Sequence, residues 1–142
     1  MGLLEIVFPP RCAGCGDGPW PFCPPCRATL VVPAPPWCRR CARPLPAPRP
    51  TCRACPPPPL ASARWPFLYG GAARSAIHRL KFSGWRRVAS ALAGAMAEVA
   101  GGGADAVCWV PLAPARRARR GYDQAEALAR ALAAELGLPA VR

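Results

Sequence analysis

Eight of the nine cysteines fall into four C-x-x-C pairs, Cys12/Cys15, Cys23/Cys26, Cys38/Cys41 and Cys52/Cys55. Such a turn presents two thiolates to one metal ion, and two turns complete a tetrahedral shell of four thiolates, the ligand set of structural zinc. Seven residues separate Cys15 from Cys23 and ten separate Cys41 from Cys52, so consecutive turns can close two short ribbons. We read two sequential zinc sites, one from Cys12, Cys15, Cys23 and Cys26, the other from Cys38, Cys41, Cys52 and Cys55. Interleaved pairing stays open, because spacing alone does not say which turns meet, and redox pairs or oxidised staples are the competing chemistries. Four thiolates leave zinc no position for water, so the sites are expected to be structural. The single histidine, His78, lies outside the cysteine region without an acidic or cysteine neighbour and reads as a surface residue.

The segment that must hold these turns has little else to hold it. Of 21 prolines, 17 precede Leu60, and large apolar side chains are sparse there (Leu3, Leu4, Phe8, Trp20, Phe22 and Trp37 among them). Metal binding is expected to supply the missing folding free energy, on the order of 10 kcal/mol per site. Arg11, Arg27, Arg39, Arg40, Arg43, Arg49 and Arg53 surround the cysteines, as a solvated basic rim or as phosphate contacts. The run Pro56 to Pro59 reads as a stiff spacer, which places a boundary near residue 60, between a ribbon region at 1–60 and a second region at 61–142.

Charge narrows the partners. The 142 residues carry 19 Lys+Arg against 7 Asp+Glu, a net +12. Two zinc centres of four thiolates, each about −2 in formal charge, leave about +8, so anionic partners are expected. No apolar run approaches the roughly 18–20 residues of a membrane-spanning helix. The N-terminus has no basic flank, carries Glu5 and soon meets Pro9 and Pro10, unlike a signal peptide, and a cytoplasmic address is expected.

In the second region Ala73, Ile77 and Leu80 predict a short amphipathic helix ended by Ser83-Gly84, with Arg74, His78 and Lys81 on its polar side. Val88, Leu92, Met96 and Val99 predict a second helix within residues 85–100, stopped by three glycines. Ala106-Val-Cys-Trp-Val110 reads as a parallel strand buried on both faces, with Cys108 in the core. Residues 111–121 read as a loop with four arginines in five positions, Arg116, Arg117, Arg119 and Arg120, closed by Gly121. Asp123 and Glu126 then predict a capped helix ending at Gly137. Strand, basic loop and helix N-terminus together suggest a phosphate or pyrophosphate site.

These residues also carry a resemblance. The four C-x-x-C turns, Leu80-Lys-Phe-Ser-Gly84, Val110-Pro-Leu112 and Arg120-Gly-Tyr-Asp-Gln-Ala125 resemble the ComF family of phosphoribosyltransferase-like proteins with an N-terminal double zinc ribbon. The resemblance implies a type I phosphoribosyltransferase fold of α/β class over 61–142, its parallel sheet incomplete here. It also implies a role in DNA uptake during natural transformation, with single-stranded DNA or the uptake machinery as candidate partners. Residues 111–121 would match the pyrophosphate loop. Where the family usually has Asn, this chain has Asp123. Type I enzymes further use two adjacent acidic residues followed by Thr-Thr-Gly-x-Thr to hold phosphoribosyl diphosphate. Here the only threonines are Thr29 and Thr51, and no two acidic residues are adjacent. The expectation is therefore a catalytically inactive chain, C-terminally truncated relative to its family, with magnesium–phosphoribosyl diphosphate reserved for full-length relatives. A stand-alone zinc-ribbon module that binds nucleic acid or a protein is the alternative. A lone strand should also leave the second region poorly packed.

Overall fold

A computed structural model describes residues 9–55 and 59–142. The apolar residues of the first eight positions and most of the 56–59 spacer lie outside them. The ribbon region is nearly without regular structure, its one helix among the described residues being α1 (Pro24–Ala28). Instead it repeats one knuckle twice. Gly16 N–H donates to the Cys12 carbonyl at 2.9 Å, and Ala42 N–H donates to that of Cys38 at 2.8 Å. Each knuckle sits beside an isolated antiparallel bridge, Arg11 with Pro19 and Trp37 with Pro44.

The second region comprises α2 (Gly71–Phe82), α3 (Val88–Ala100), β1 (Val107–Cys108), α4 (Pro114–Arg120), α5 (Gln124–Leu136) and β2 (Ala140–Val141). Ser83 and Gly101 close α2 and α3, and Gly137, at φ +65°, closes α5. Alanine does much of the packing: Ala89 and Ala93 of α3 and Ala129 and Ala133 of α5 are buried, and these small faces let the two helices approach closely.

The core crosses residue 60. Cys12, Ala13, Phe22 and Cys23 of the first ribbon pack in one cluster with Ala72, Ala76 and Leu80 of α2, Val88 and Leu92 of α3, and Tyr122. The first ribbon thus covers part of α2, while Ile77, Leu92, Met96, Val99, Leu128 and Leu132 of the helices line an open apolar cleft of about 390 Å³, in keeping with a second region poorly packed by itself. Three expectations are corrected. The strand at 106–110 shrinks to two residues, paired in parallel with β2 in the register Val107 to Ala140 and Cys108 to Val141. Cys108 is exposed, not core, and Val110 is 86% exposed, because α5 and β2 are the elements packed on β1 among the described residues. The stretch 111–121 is not a loop throughout: Pro114, suited to a first helical position, opens the seven-residue α4, and Gly121 at φ +74° ends it.

Candidate metal centres and basic segment

The structure brings the cysteines together as two sequential quartets, Cys12, Cys15, Cys23 and Cys26, and Cys38, Cys41, Cys52 and Cys55. In each, the four sulfurs lie within 4.8 Å of one another. Interleaving is thereby excluded. Cys15 and Cys23 Sγ are 3.7 Å apart, Cys38 and Cys55 3.4 Å, Cys41 and Cys52 3.4 Å, and Cys52 and Cys55 3.5 Å. A tetrahedron with metal–sulfur bonds of about 2.3 Å has sulfur–sulfur edges of about 3.8 Å, whereas a disulfide needs about 2.0 Å. The spacing fits two four-cysteine zinc centres, with every coordination position taken by sulfur.

Local backbone explains why the sulfurs converge. Cys23 N–H donates to Cys12 Sγ at 3.3 Å, and in the second ribbon Cys52 N–H donates to Cys38 Sγ at 3.2 Å. Burial alone would raise the Cys12 thiol, but the amides of Cys23, Cys15 and Gly14 outweigh it and bring the thiol down to about 6. Cys38 behaves alike: burial would raise it, and the amides of Cys41 and Cys52 bring it to about 6. Burial and the neighbouring thiols push Cys26 and Cys55 up to about 12. The amides of Asp17 and Gly18 lower Cys15 as well, so the first ribbon favours two thiolates by itself and the second one, and a divalent cation is what would hold four. Glycine matters here for space: a Cβ at Gly18 would meet Cys23 Cβ at 2.5 Å, and one at Gly14 would meet Cys26 Sγ at 2.8 Å. Sequence reasoning misses both glycines, because nothing in the chain marks them apart from other loop glycines.

The basic segment is arranged differently from a phosphate-binding loop. Arg116, Arg117 and Arg119 are exposed on α4, and Arg117 pairs with Glu126 at 3.6 Å. Arg120 turns inward, donating to Gln124 Oε1 at 2.6 Å and stacking over Phe82 at 5.1 Å. The helix N-terminus expected to receive an anion is occupied by the protein's own carboxylate. Asp123, 4% exposed, accepts from Ala125 N–H at 2.9 Å and Glu126 N–H at 3.3 Å, capping α5. Its other oxygen accepts from Leu112 N–H at 2.7 Å. Burial would raise this carboxyl, but the three amides and the charge of Arg117 outweigh it and hold it below the usual carboxylate range. A phosphate on this segment therefore depends on side chains, because the amides are already spent. Glu126 does not reach back to complete a capping box but pairs with Arg130 at 3.0 Å. His78 lies on the exposed side of α2, where it meets Tyr69 Oη at 3.1 Å.

Among known families, a model described as a double zinc ribbon domain matches residues 3–56. Neither the curated proteins nor the solved structures contain a match to the chain. Among the described residues no helix is long and apolar enough to cross a membrane. The N-terminal part is a zinc-binding module, and beyond it lies a small helical region with a two-stranded parallel sheet.

Proposed function

We propose that the chain is a ComF-type, phosphoribosyltransferase-like protein of the cytoplasm, acting in DNA uptake, in which a double zinc ribbon braces an α/β unit that binds phosphate or pyrophosphate. One observation carries the reading. Val110-Pro-Leu112 and Arg120-Gly-Tyr-Asp-Gln-Ala125, the motifs on which the resemblance rests, are joined by the Asp123 carboxylate between Leu112 and the first turn of α5. The unit β1–α4–α5–β2 then pairs its strands in parallel, as an α/β crossover must. Arg116, Arg117, Arg119 and Arg120, with the Gly121 turn, supply the positive charge at the carboxyl end of β1. Ribose and metal contacts in phosphoribosyl transfer need acidic groups, and these 142 residues contain no adjacent acidic pair, so binding without turnover is the expected behaviour. Calorimetry with pyrophosphate tests the binding. Its absence in the zinc-loaded chain sinks the reading, and isotope exchange with phosphoribosyl diphosphate overturns the inactivity if it proceeds.

A second reading, nucleic-acid binding by the ribbon itself, is favoured by one groove. Trp37, 39% exposed, lines a cleft of about 750 Å³ with Arg39, Arg49 and four prolines. An aromatic face beside two guanidinium groups suits a stacked base and its phosphates. Single-stranded DNA should bind with a steep salt dependence; a flat response, or W37A binding as well as wild type, removes this reading.

A further inference from the structure

Lys81 is the one lysine among the 19 Lys+Arg of the chain. It lies exposed in the last turn of α2. With Phe82 and Gly84 it lines a cavity of about 260 Å³, whose other lining residues, Arg119, Arg120 and Tyr122, come from the end of α4 and the turn after it. Three cations meet there without a carboxylate in the lining.

Two donors belonging to residues of this lining are unsatisfied. Tyr122 is 8% exposed, and its buried hydroxyl has no hydrogen-bond partner among the described residues; the same holds for the buried Arg120 Nε. A buried donor without a partner is costly, so such groups usually meet a ligand or water. Both are also held in place. Arg120 is fixed by Gln124 and Phe82, as described above, while Arg86 caps the Tyr122 ring at 4.8 Å and donates to the Gly121 carbonyl at 3.1 Å.

We infer that this cavity binds a phosphomonoester group, held by Lys81, Arg119, Arg120 and the Tyr122 hydroxyl. The chemistry matches a dianion with three outer oxygens: guanidinium forks and an ammonium neutralise it, and a phenol donates to it. At about 260 Å³ the cavity falls below the roughly 300 Å³ at which small-molecule sites begin, so it takes the phosphate itself, with a pentose-sized body or chain terminus left at the mouth, and not a dinucleotide. The inference rests on the reading that the basic segment takes an anion, and deepens it by placing the phosphate between α2 and Tyr122, away from Arg116 and Arg117.

The test uses the zinc-loaded full chain, with inorganic phosphate, ribose 5-phosphate, and oligothymidylate carrying either a 5′-phosphate or a 5′-hydroxyl as probes. Because Lys81 is the one lysine, its acylation by acetic anhydride, followed by mass spectrometry, reports occupancy without any mutation. Ribose 5-phosphate is expected to protect Lys81. Its affinity should fall about 10-fold or more in K81A and about 3–10-fold in Y122F, with R74A unchanged; circular dichroism confirms that the variants fold. Protection by the 5′-phosphorylated but not the 5′-hydroxyl oligomer would identify a DNA terminus as a source of the same group. Unprotected Lys81 at saturating probe, or full affinity in both K81A and Y122F, overturns the inference. If affinity is instead lost only in R116A or R117A, the basic-segment reading survives without this site, whereas no binding of any probe to wild type defeats both.

Discussion

The Arg79 guanidinium of α2 donates to the Cys15 carbonyl at 2.6 Å, across 64 positions of sequence, and its Nε donates to the Gly14 carbonyl at 3.2 Å. At the other end of the helix Thr29 Oγ1, from the first ribbon, accepts from Ala72 N–H at 3.0 Å. The first ribbon therefore grips α2 at both ends, and Lys81 and Phe82 follow directly from the gripped segment. Arg79→Ala should destabilise the protein by about 1–2 kcal/mol, the value of charge-assisted bonds that are partly open to solvent. Thermal melts check this, and an unchanged midpoint would show the contact to be incidental.

The two zinc centres should not be equivalent. Cys12 and Cys23 belong to the main core cluster, whereas no residue of the second quartet does. Elemental analysis should find about two zinc ions per chain, and about one in the double variant C38S/C41S. That variant should keep the helical circular dichroism and cooperative unfolding of wild type, while C12S/C15S should lose both. Equal damage from the two variants would contradict the asymmetry.

Asp123 makes stability depend on acid. Its carboxyl sits below the ordinary value, so its contribution is complete above that ordinary value, about 3.9, and disappears as pH falls through the folded one. Wild type should therefore lose stability in this acidic window, while D123A should start about 2–3 kcal/mol lower at neutral pH and decline less steeply. Urea melts across the acid range decide it. Parallel curves would mean that other carboxylates carry the acid response.

The knuckle repeat contains one mismatch. The residue after the second cysteine is Gly16 at φ +95° in the first ribbon but Ala42 at φ +53° in the second. A Cβ in the left-handed region costs roughly 1 kcal/mol, so Ala42→Gly should stabilise the second ribbon by about 0.5–1 kcal/mol. A chelator titration should then strip its zinc at higher chelator concentration than in wild type; a lower threshold would refute the strain.

The metal centres are legible in the linear chain because C-x-x-C is a local device: two thiolates three positions apart already face one ion. The α5 cap at Asp123 and the stop at Gly137 are legible for the same reason, since a cap is written within four residues. The basic segment reads as a loop because four arginines look like surface charge whether or not they wind into a turn of helix. Packing decided that Asp123 would spend the helix amides internally, turning the anion question over to side chains. Nor could sequence place Cys108, whose burial depends on neighbouring strands and helices. Tertiary structure alone brought Lys81 to Arg120 and Tyr122 and joined the first ribbon to α2. Those partners lie some 40 to 65 positions apart, and contacts at such separation follow from how helices and knuckles pack, a matter on which periodicity and spacing are silent.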